Sequence, residues 1–177
     1  MDIFSHGLWA VAAAKGAVIK TKKKLSLKFA FFFGVFPDLF TFTWVFLWIF
    51  WQRIFGGVDF DNFRNGVEPA QVDTLPIFEL TNLLYNLSHS LLVFFIVAFL
   101  IFFVFKKRVW EMGGWLLHIL MDIPTHSYAF YPTPFLWPLS DWKFDGFSWG
   151  QPWFLVLNYS LLAVLYIFLF YKYRNRT

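Results

Sequence analysis

Histidine and aspartate residues set in otherwise apolar stretches are the part of this chain best suited to chemistry. They are His6, Asp38, His89, His118, Asp122 and His126. An ionisable side chain inside a membrane segment is costly and points to a functional site. Imidazole nitrogens and carboxylate oxygens together are ligands that zinc and similar divalent ions accept. We therefore interpret all six as candidate ligands of one or two divalent ions, with zinc preferred and manganese or iron as alternatives.

The segment from His118 to His126 is the densest group of candidates, with a metal-type ligand at every fourth residue. Residues four apart stack on one helix face, so His118 and Asp122 can present a nitrogen and an oxygen to one ion. Pro124 cannot continue helical hydrogen bonding and disfavours helix at the residue before it. We expect the helix to end at Ile123, which lets His126 fold back towards the site.

The composition indicates a membrane protein. Of 177 residues, 59% are hydrophobic and only 15% are charged, against about a quarter charged in soluble domains. The chain has no cysteine, which excludes thiolate nucleophiles and cysteine-type zinc sites. Spanning helices need roughly 20 apolar residues. Three segments qualify and two are shorter: Phe29–Trp51, Leu83–Phe105 and Pro152–Tyr171, then His6–Ile19 and Val109–Ile123. The predicted fold is therefore all-α, a polytopic bundle of about five transmembrane or half-membrane helices, forming one domain over residues 1–177.

Charge patterning sets the expected orientation. Basic clusters at 20–28, 106–108 and 172–176 mark the cytoplasmic side, because lysine and arginine accumulate there. The loops Gln52–Leu80 and Thr125–Gln151 then lie outside. The first is predicted to be irregular, and the second either lies along the headgroups or caps the helix ends. We expect an outside N-terminus and a cytoplasmic C-terminus. The net charge of +4 is thus a topology signal that requires no nucleic-acid partner, and no signal peptide is expected, since the positive charge follows the first apolar stretch.

The candidate ligands share a predicted depth. A helical rise of 1.5 Å per residue places five of them about 15 to 26 Å from the nearest basic cluster. This range is one layer in the outer half of a hydrocarbon core of about 30 Å. Three alternatives remain open at single positions. His6 can be a hydrogen-bonding residue between helices, Asp38 can pair with Lys15, and His126 can be a loop residue on the surface.

Short motifs follow one another in order through most of the chain. They are Ser5-His6-Gly7, Phe36-Pro37-Asp38, Asn86-Leu87-Ser88-His89-Ser90, His118-Ile-Leu-Met-Asp122 and Thr133-Pro134-Phe135-Leu136-Trp137-Pro138. In this order they resemble the bacterial inner-membrane metal-dependent hydrolases, a family thought to relate to zinc-dependent phospholipase C. The resemblance implies phosphoester hydrolysis in a prokaryotic plasma membrane. The chain departs from the family pattern in lacking an arginine beside His89 and in adding Pro124 and His126.

The leading hypothesis is a membrane-embedded, metal-dependent hydrolase of a phosphoester in a lipid or lipid-linked substrate. A bound divalent ion lowers the pKa of its water towards ~7. A carboxylate or imidazole that is not a ligand can act as the general base. Asp38, Asp122 and His126 are the candidate catalytic residues. The expected partners are the bilayer and this substrate.

Two other kinds of protein use buried polar groups in the same way. Chains of aspartate and histidine conduct protons or divalent ions in transporters. The predicted inner half here is almost all phenylalanine, leucine, valine and isoleucine, which argues against a conduction path. A structural membrane protein can also use polar groups only to pin its helices together, and such a protein would bind no metal.

Overall fold

Helices make up the regular structure of the described residues. The computed structural model describes residues 1–21, 24–56, 76–129 and 131–174. Its helices within these ranges are α1 (Ile3–Thr21), α2 (Leu27–Phe55), α3 (Pro76–Ser88), α4 (Leu91–Phe105), a short 3-10 helix (Trp110–Met112), α5 (Gly113–Thr125) and α6 (Pro152–Arg174). The predicted all-α class is confirmed.

Two of these helices, α2 and α6, are long and apolar enough to cross a membrane. The pair α3 and α4 makes a third span if the two count as one bent crossing. Phenylalanines such as Phe50, Phe99 and Phe170 are well exposed on these helices. Contiguous exposed apolar surface of this kind suits lipid contact. The helices are thus consistent with a membrane protein with two or three spans by length and composition, and the expected count of about five is not confirmed.

The expected continuous helix over Leu83–Phe105 is wrong. The chain bends by 65° between α3 and α4, at His89 and Ser90. The hydroxyl of Ser90 accepts from the Val93 amide at 3.2 Å and so caps α4. The same hydroxyl donates to the Trp137 carbonyl at 2.5 Å. Ser90 therefore caps the start of α4 while it bonds to a neighbouring loop. At this break the His89 side chain is buried in the interior.

Small residues let α1, α2 and α5 pack closely against one another. A Cβ at Gly34 would lie 2.7 Å from the Ala10 Cβ and 2.8 Å from the His6 carbonyl oxygen. A Cβ at Gly114 would lie 2.6 Å from the Ala30 carbonyl oxygen. Side chains cannot approach backbone this closely, so the three helices cross where their surfaces are nearly bare. This crossing brings the polar positions of all three helices within reach of one another.

The loop predicted over Gln52–Leu80 is partly wrong. Residues 52–55 form the end of α2, and residues 76–80 form the start of α3, where proline is well tolerated. Residues 57–75 of this expectation lie outside the described part of the chain.

The second predicted loop, Thr125–Gln151, packs over the helix ends. The Gly146 amide donates to the His126 carbonyl at 2.9 Å, and the Trp149 amide donates to the Thr125 carbonyl at 3.0 Å. These bonds satisfy carbonyls that the end of α5 leaves unpaired. Of the two alternatives, the structure therefore supports a cap over the helix ends.

Candidate metal centre

The structure brings all six predicted residues into one buried cluster. They come from four parts of the fold. Helix α1 supplies His6, α2 supplies Asp38 and the α3–α4 bend supplies His89. Helix α5 supplies His118 and Asp122, and His126 follows directly after it. Asp122 and His89 are completely shielded from solvent. Asp38 is the exception, with 13% of its side chain exposed. The cluster is therefore closed on most sides and open beside Asp38.

Four members of the cluster can hold a metal ion. Asp38, His89, His118 and Asp122 each offer one ligand atom, and these atoms lie within 4.8 Å of one another. The His118 Nε2 atom lies 3.1 Å from Asp122 Oδ2 and 3.6 Å from Asp38 Oδ1. His89 Nε2 lies 3.6 Å from the same two carboxylate oxygens. Two nitrogens and two oxygens make a four-coordinate donor set of the kind zinc takes, and other divalent metals also accept it.

The remaining two histidines face the other oxygen of Asp122. His6 Nε2 lies 3.0 Å from Asp122 Oδ1, and His126 Nε2 lies 3.4 Å from it. The rings of His6 and His118 stack with their centroids 3.6 Å apart. Asp122 thus stands between two groups of ligand atoms, one at each carboxylate oxygen. Whether His6 and His126 bind metal stays a prediction.

Backbone carbonyls fix the orientation of two of the imidazole rings. His118 Nδ1 lies 2.7 Å from the Gly34 carbonyl oxygen, and His126 Nδ1 lies 2.9 Å from that of Tyr131. A carbonyl oxygen only accepts, so Nδ1 must carry the hydrogen in both rings. In the neutral ring, Nε2 then holds a lone pair that points into the cluster. This is the tautomer and the supporting contact that metal-binding histidines normally have.

His89 is held in the same way. Its Nδ1 lies 3.2 Å from the Tyr85 carbonyl oxygen and 2.8 Å from the Ser88 hydroxyl. Its Nε2 lies 3.1 Å from His118 Nε2. When His89 Nδ1 donates to the Tyr85 carbonyl, as His118 Nδ1 does to that of Gly34, the facing Nε2 atoms of the two neutral rings are both acceptors. Such a cluster of acceptors requires a cation or shared protons, so the residues fit a metal ion.

A cationic group already lies against the cluster. The α-amino group of Met1 contacts Asp122 Oδ1. It also lies 3.2 Å from His126 Nε2 and 3.5 Å from the Thr125 hydroxyl. The side of Asp122 that faces His6 and His126 therefore accommodates positive charge.

A second polar network holds the start of α1 in place. The Ser5 hydroxyl donates to Asp2, and the Asn158 amide donates to the Ser5 oxygen at 2.7 Å. Trp9 Nε1 donates to the Asn158 carbonyl oxygen at 2.8 Å. Burial raises the pKa of Asp2, but hydrogen bonds from Ser5 and Tyr159 and the charge of His6 together bring the pKa below its ordinary value. The network ties α1 to α6 and so fixes the position of His6, and the sequence alone did not predict the role of Asn158.

The alternative partner for Asp38 finds no support. The Lys15 ammonium lies 5.5 Å from the centre of the Tyr166 ring, a cation–π contact. Asp38 instead faces His89 and His118. The carboxylate therefore belongs to the cluster.

The predicted end of α5 at Ile123 is displaced by two residues. The helix continues through Pro124 to Thr125, and the His126 amide still donates to the Asp122 carbonyl at 3.1 Å. Extended backbone begins only at His126. Pro124 is itself exposed, and the imidazole of His126 still reaches Asp122.

Comparisons with models of known families, with curated proteins and with solved structures find no match to this chain.

Proposed function

We propose that the cluster is the metal centre of a membrane-embedded hydrolase that cleaves a phosphoester in a lipid or lipid-linked substrate. The observation that carries the proposal is the convergence of imidazole Nε2 atoms and carboxylate oxygens on one point. The Nδ1 atoms of His118 and His126 are held by backbone carbonyls. Helix pinning alone would not need several acceptors to face one another. A metal ion would supply positive charge to the group formed by Asp38, His89, His118 and Asp122 Oδ2.

The two faces of Asp122 suggest two ion positions. Asp38, His89 and His118 with Asp122 Oδ2 would hold the first ion. His6 and His126 with Asp122 Oδ1 would hold the second, which would displace the Met1 α-amino group from that oxygen. Zinc suits this mixture of nitrogen and oxygen ligands, and manganese or iron would be accepted.

The chemistry divides between the bound ion and the chain. A divalent ion lowers the pKa of bound water from 15.7 to ~7 and so provides a nucleophile at neutral pH. Asp38 is the acid that reaches the open side of the cluster, and both of its contacts to histidine use Oδ1. With Oδ1 as the ligand atom, Oδ2 would take the proton of the water as its oxygen bonds to phosphorus. The P–O bond to the alcohol would then break, and the leaving alkoxide would take up a proton. Asp122 would orient the histidines of both halves, and His126 is the second candidate for proton transfer.

The surroundings of the cluster favour a lipid-linked substrate. The site lies midway along the apolar helix α2, which carries Asp38 near the centre of its 29 residues. Such a position inside a bilayer is reached more readily by a molecule that partitions into lipid than by a soluble ester. With basic clusters on the cytoplasmic side, the site would lie in the outer half of a prokaryotic plasma membrane.

The proposal is tested by hydrolysis of the para-nitrophenyl diester of hexadecyl phosphate by the detergent-purified protein. We expect nitrophenol release that a chelator abolishes and that added zinc or manganese restores. Asp38→Asn should slow release at least 100-fold, in the range of lost proton transfer. The matched control, Asp141→Asn, changes an exposed acid outside the cluster and should behave as wild type. Absence of hydrolysis by metal-loaded protein would contradict the proposal, and ion flux in liposomes would favour a transporter instead.

A further inference from the structure

An apolar cavity of about 530 Å³ adjoins the open side of the cluster. Cavities that bind small molecules usually measure about 300–1,000 Å³. Asp38 and His126 lie in its wall, so it is continuous with the candidate metal centre. The cavity is therefore large enough for a ligand that also touches the cluster.

One face of α2 forms the long wall of this cavity. Asp38, Phe42, Val45 and Ile49 all line it, and their spacing of four, three and four residues places them in one stripe along the helix. The stripe extends about 16 Å from Asp38 to Ile49 at 1.5 Å per residue. The cavity is thus elongated along α2, with a carboxylate at one end and apolar side chains along its length.

Residues outside α2 complete the walls. Phe78 of α3 and Trp149 of the loop after α5 also line the cavity. Met1, Asp2 and His126 lie in the wall as well, and the first and last of these contact each other beside Asp122. The polar groups thus belong to the end next to the metal centre. A soluble phosphoester would leave the apolar walls in contact with water, whereas a hydrocarbon chain would cover them.

We propose that this cavity binds one hydrocarbon chain of the substrate, with the phosphate at the Asp38 end. The inference rests on the proposed function in taking the metal centre as the phosphate position. It adds that the substrate is a phosphoester of a long alkyl or prenyl alcohol, bound along α2 from Asp38 towards Ile49. Val45 and Thr43, which line the middle of the cavity, would then determine which chains fit.

The first test compares two para-nitrophenyl phosphodiesters that differ only in the second alcohol, hexadecyl or ethyl. In wild type the ratio of their kcat/KM values should favour the hexadecyl ester. Val45→Phe should lower this ratio at least tenfold, because the larger ring fills the cavity. Val45 is itself buried, so Thr43→Trp at an exposed position provides a second variant with the same expected effect. Leu47→Phe is the matched control, since Leu47 is exposed on α2 and does not line the cavity.

The second test does not depend on hydrolysis. Hexadecyl phosphate carrying a diazirine in its chain is photolysed with the zinc-loaded protein, and labelled peptides are identified by mass spectrometry. Labelling should fall on residues 39–49 and be competed by hexadecyl phosphate but not by inorganic phosphate. Labelling on other faces together with an unchanged specificity ratio would overturn the cavity inference while hydrolysis of the ethyl ester still supported the proposed function. Labelling on 39–49 without hydrolysis of either ester would overturn the proposed function alone.

Discussion

At the scale of single residues, Asp122 organises the site. Its two carboxylate oxygens face different histidines, with His118 3.1 Å from Oδ2 and His6 3.0 Å from Oδ1. A buried carboxylate surrounded by imidazoles is stable only when it is compensated by positive charge. The residue that anchors the sequence motif is therefore also the one that joins the two halves of the cluster.

The two-ion arrangement makes a stoichiometric prediction. His126→Ala removes one nitrogen from the Oδ1 side of Asp122 and leaves the four-residue group with Asp38 intact. We expect the metal content measured by plasma mass spectrometry to fall from about two ions to about one per chain, on the proposed ligand assignment. An unchanged content in His126→Ala would show that this histidine is not a ligand.

A supporting hydroxyl should tune metal affinity without being a ligand. Ser88 contacts His89 Nδ1 at 2.8 Å, and loss of such an outer contact typically weakens metal binding 10–100-fold. Because the Tyr85 carbonyl still holds the same nitrogen, we expect Ser88→Ala to weaken zinc binding about tenfold, at the lower end of that range. Competition with a zinc chelator measures the change. Ser160→Ala, at an exposed position on α6, is the control, and equal affinities of the two variants would contradict the role of Ser88.

The sequence predicted the side chains of the site better than their supports. Histidine and aspartate in apolar segments are easily recognised in the sequence, because ionisable side chains are rare there. The carbonyls of Gly34 and Tyr131, which orient His118 and His126, belong to the backbone. No residue type signals them, so only the packing of α2 and of the loop after α5 reveals these contacts.

At the scale of elements, the site depends on a close crossing of α1, α2 and α5. Gly114 lies at this crossing, whereas the neighbouring Gly113 has open space where a Cβ would lie. Gly114→Ala should destabilise the protein by about 1–3 kcal/mol through overpacking. Gly113→Ala, one residue away, should be neutral or slightly stabilising, because alanine favours helix over glycine. Thermal unfolding in detergent measures both, and equal shifts would show that the crossing is not tightly packed.

The break between α3 and α4 illustrates what apolar composition leaves undetermined. The residues from Leu83 to Phe105 are apolar enough for one span, and hydrophobicity alone cannot locate a bend. Ser90 was the available signal, since serine before an apolar run favours a helix start. At the bend, Ser90 bonds to Trp137, a contact 47 residues away in sequence that no local pattern encodes.

At the scale of the whole molecule, the basic clusters predict which side of the membrane each loop faces. The chain has no cysteine, so a single introduced cysteine reports its own accessibility. Lys143→Cys in the outer loop should react with an impermeant thiol reagent on intact cells, and Lys172→Cys near the end of α6 only after permeabilisation. The reverse pattern would contradict the proposed orientation and would place the site in the inner half of the bilayer.

The proposed function requires that the cluster binds a divalent metal ion. The most direct measurement is elemental analysis of the detergent-purified protein beside the double variant His118→Ala/Asp122→Ala, with circular dichroism to verify that both remain helical. Asp141→Ala, an exposed acid outside the cluster, is the matched control. We predict a stoichiometric divalent metal in wild type and in the control, and none in the double variant. Metal retained by a folded double variant, or absent from wild type after zinc loading, would contradict the central claim.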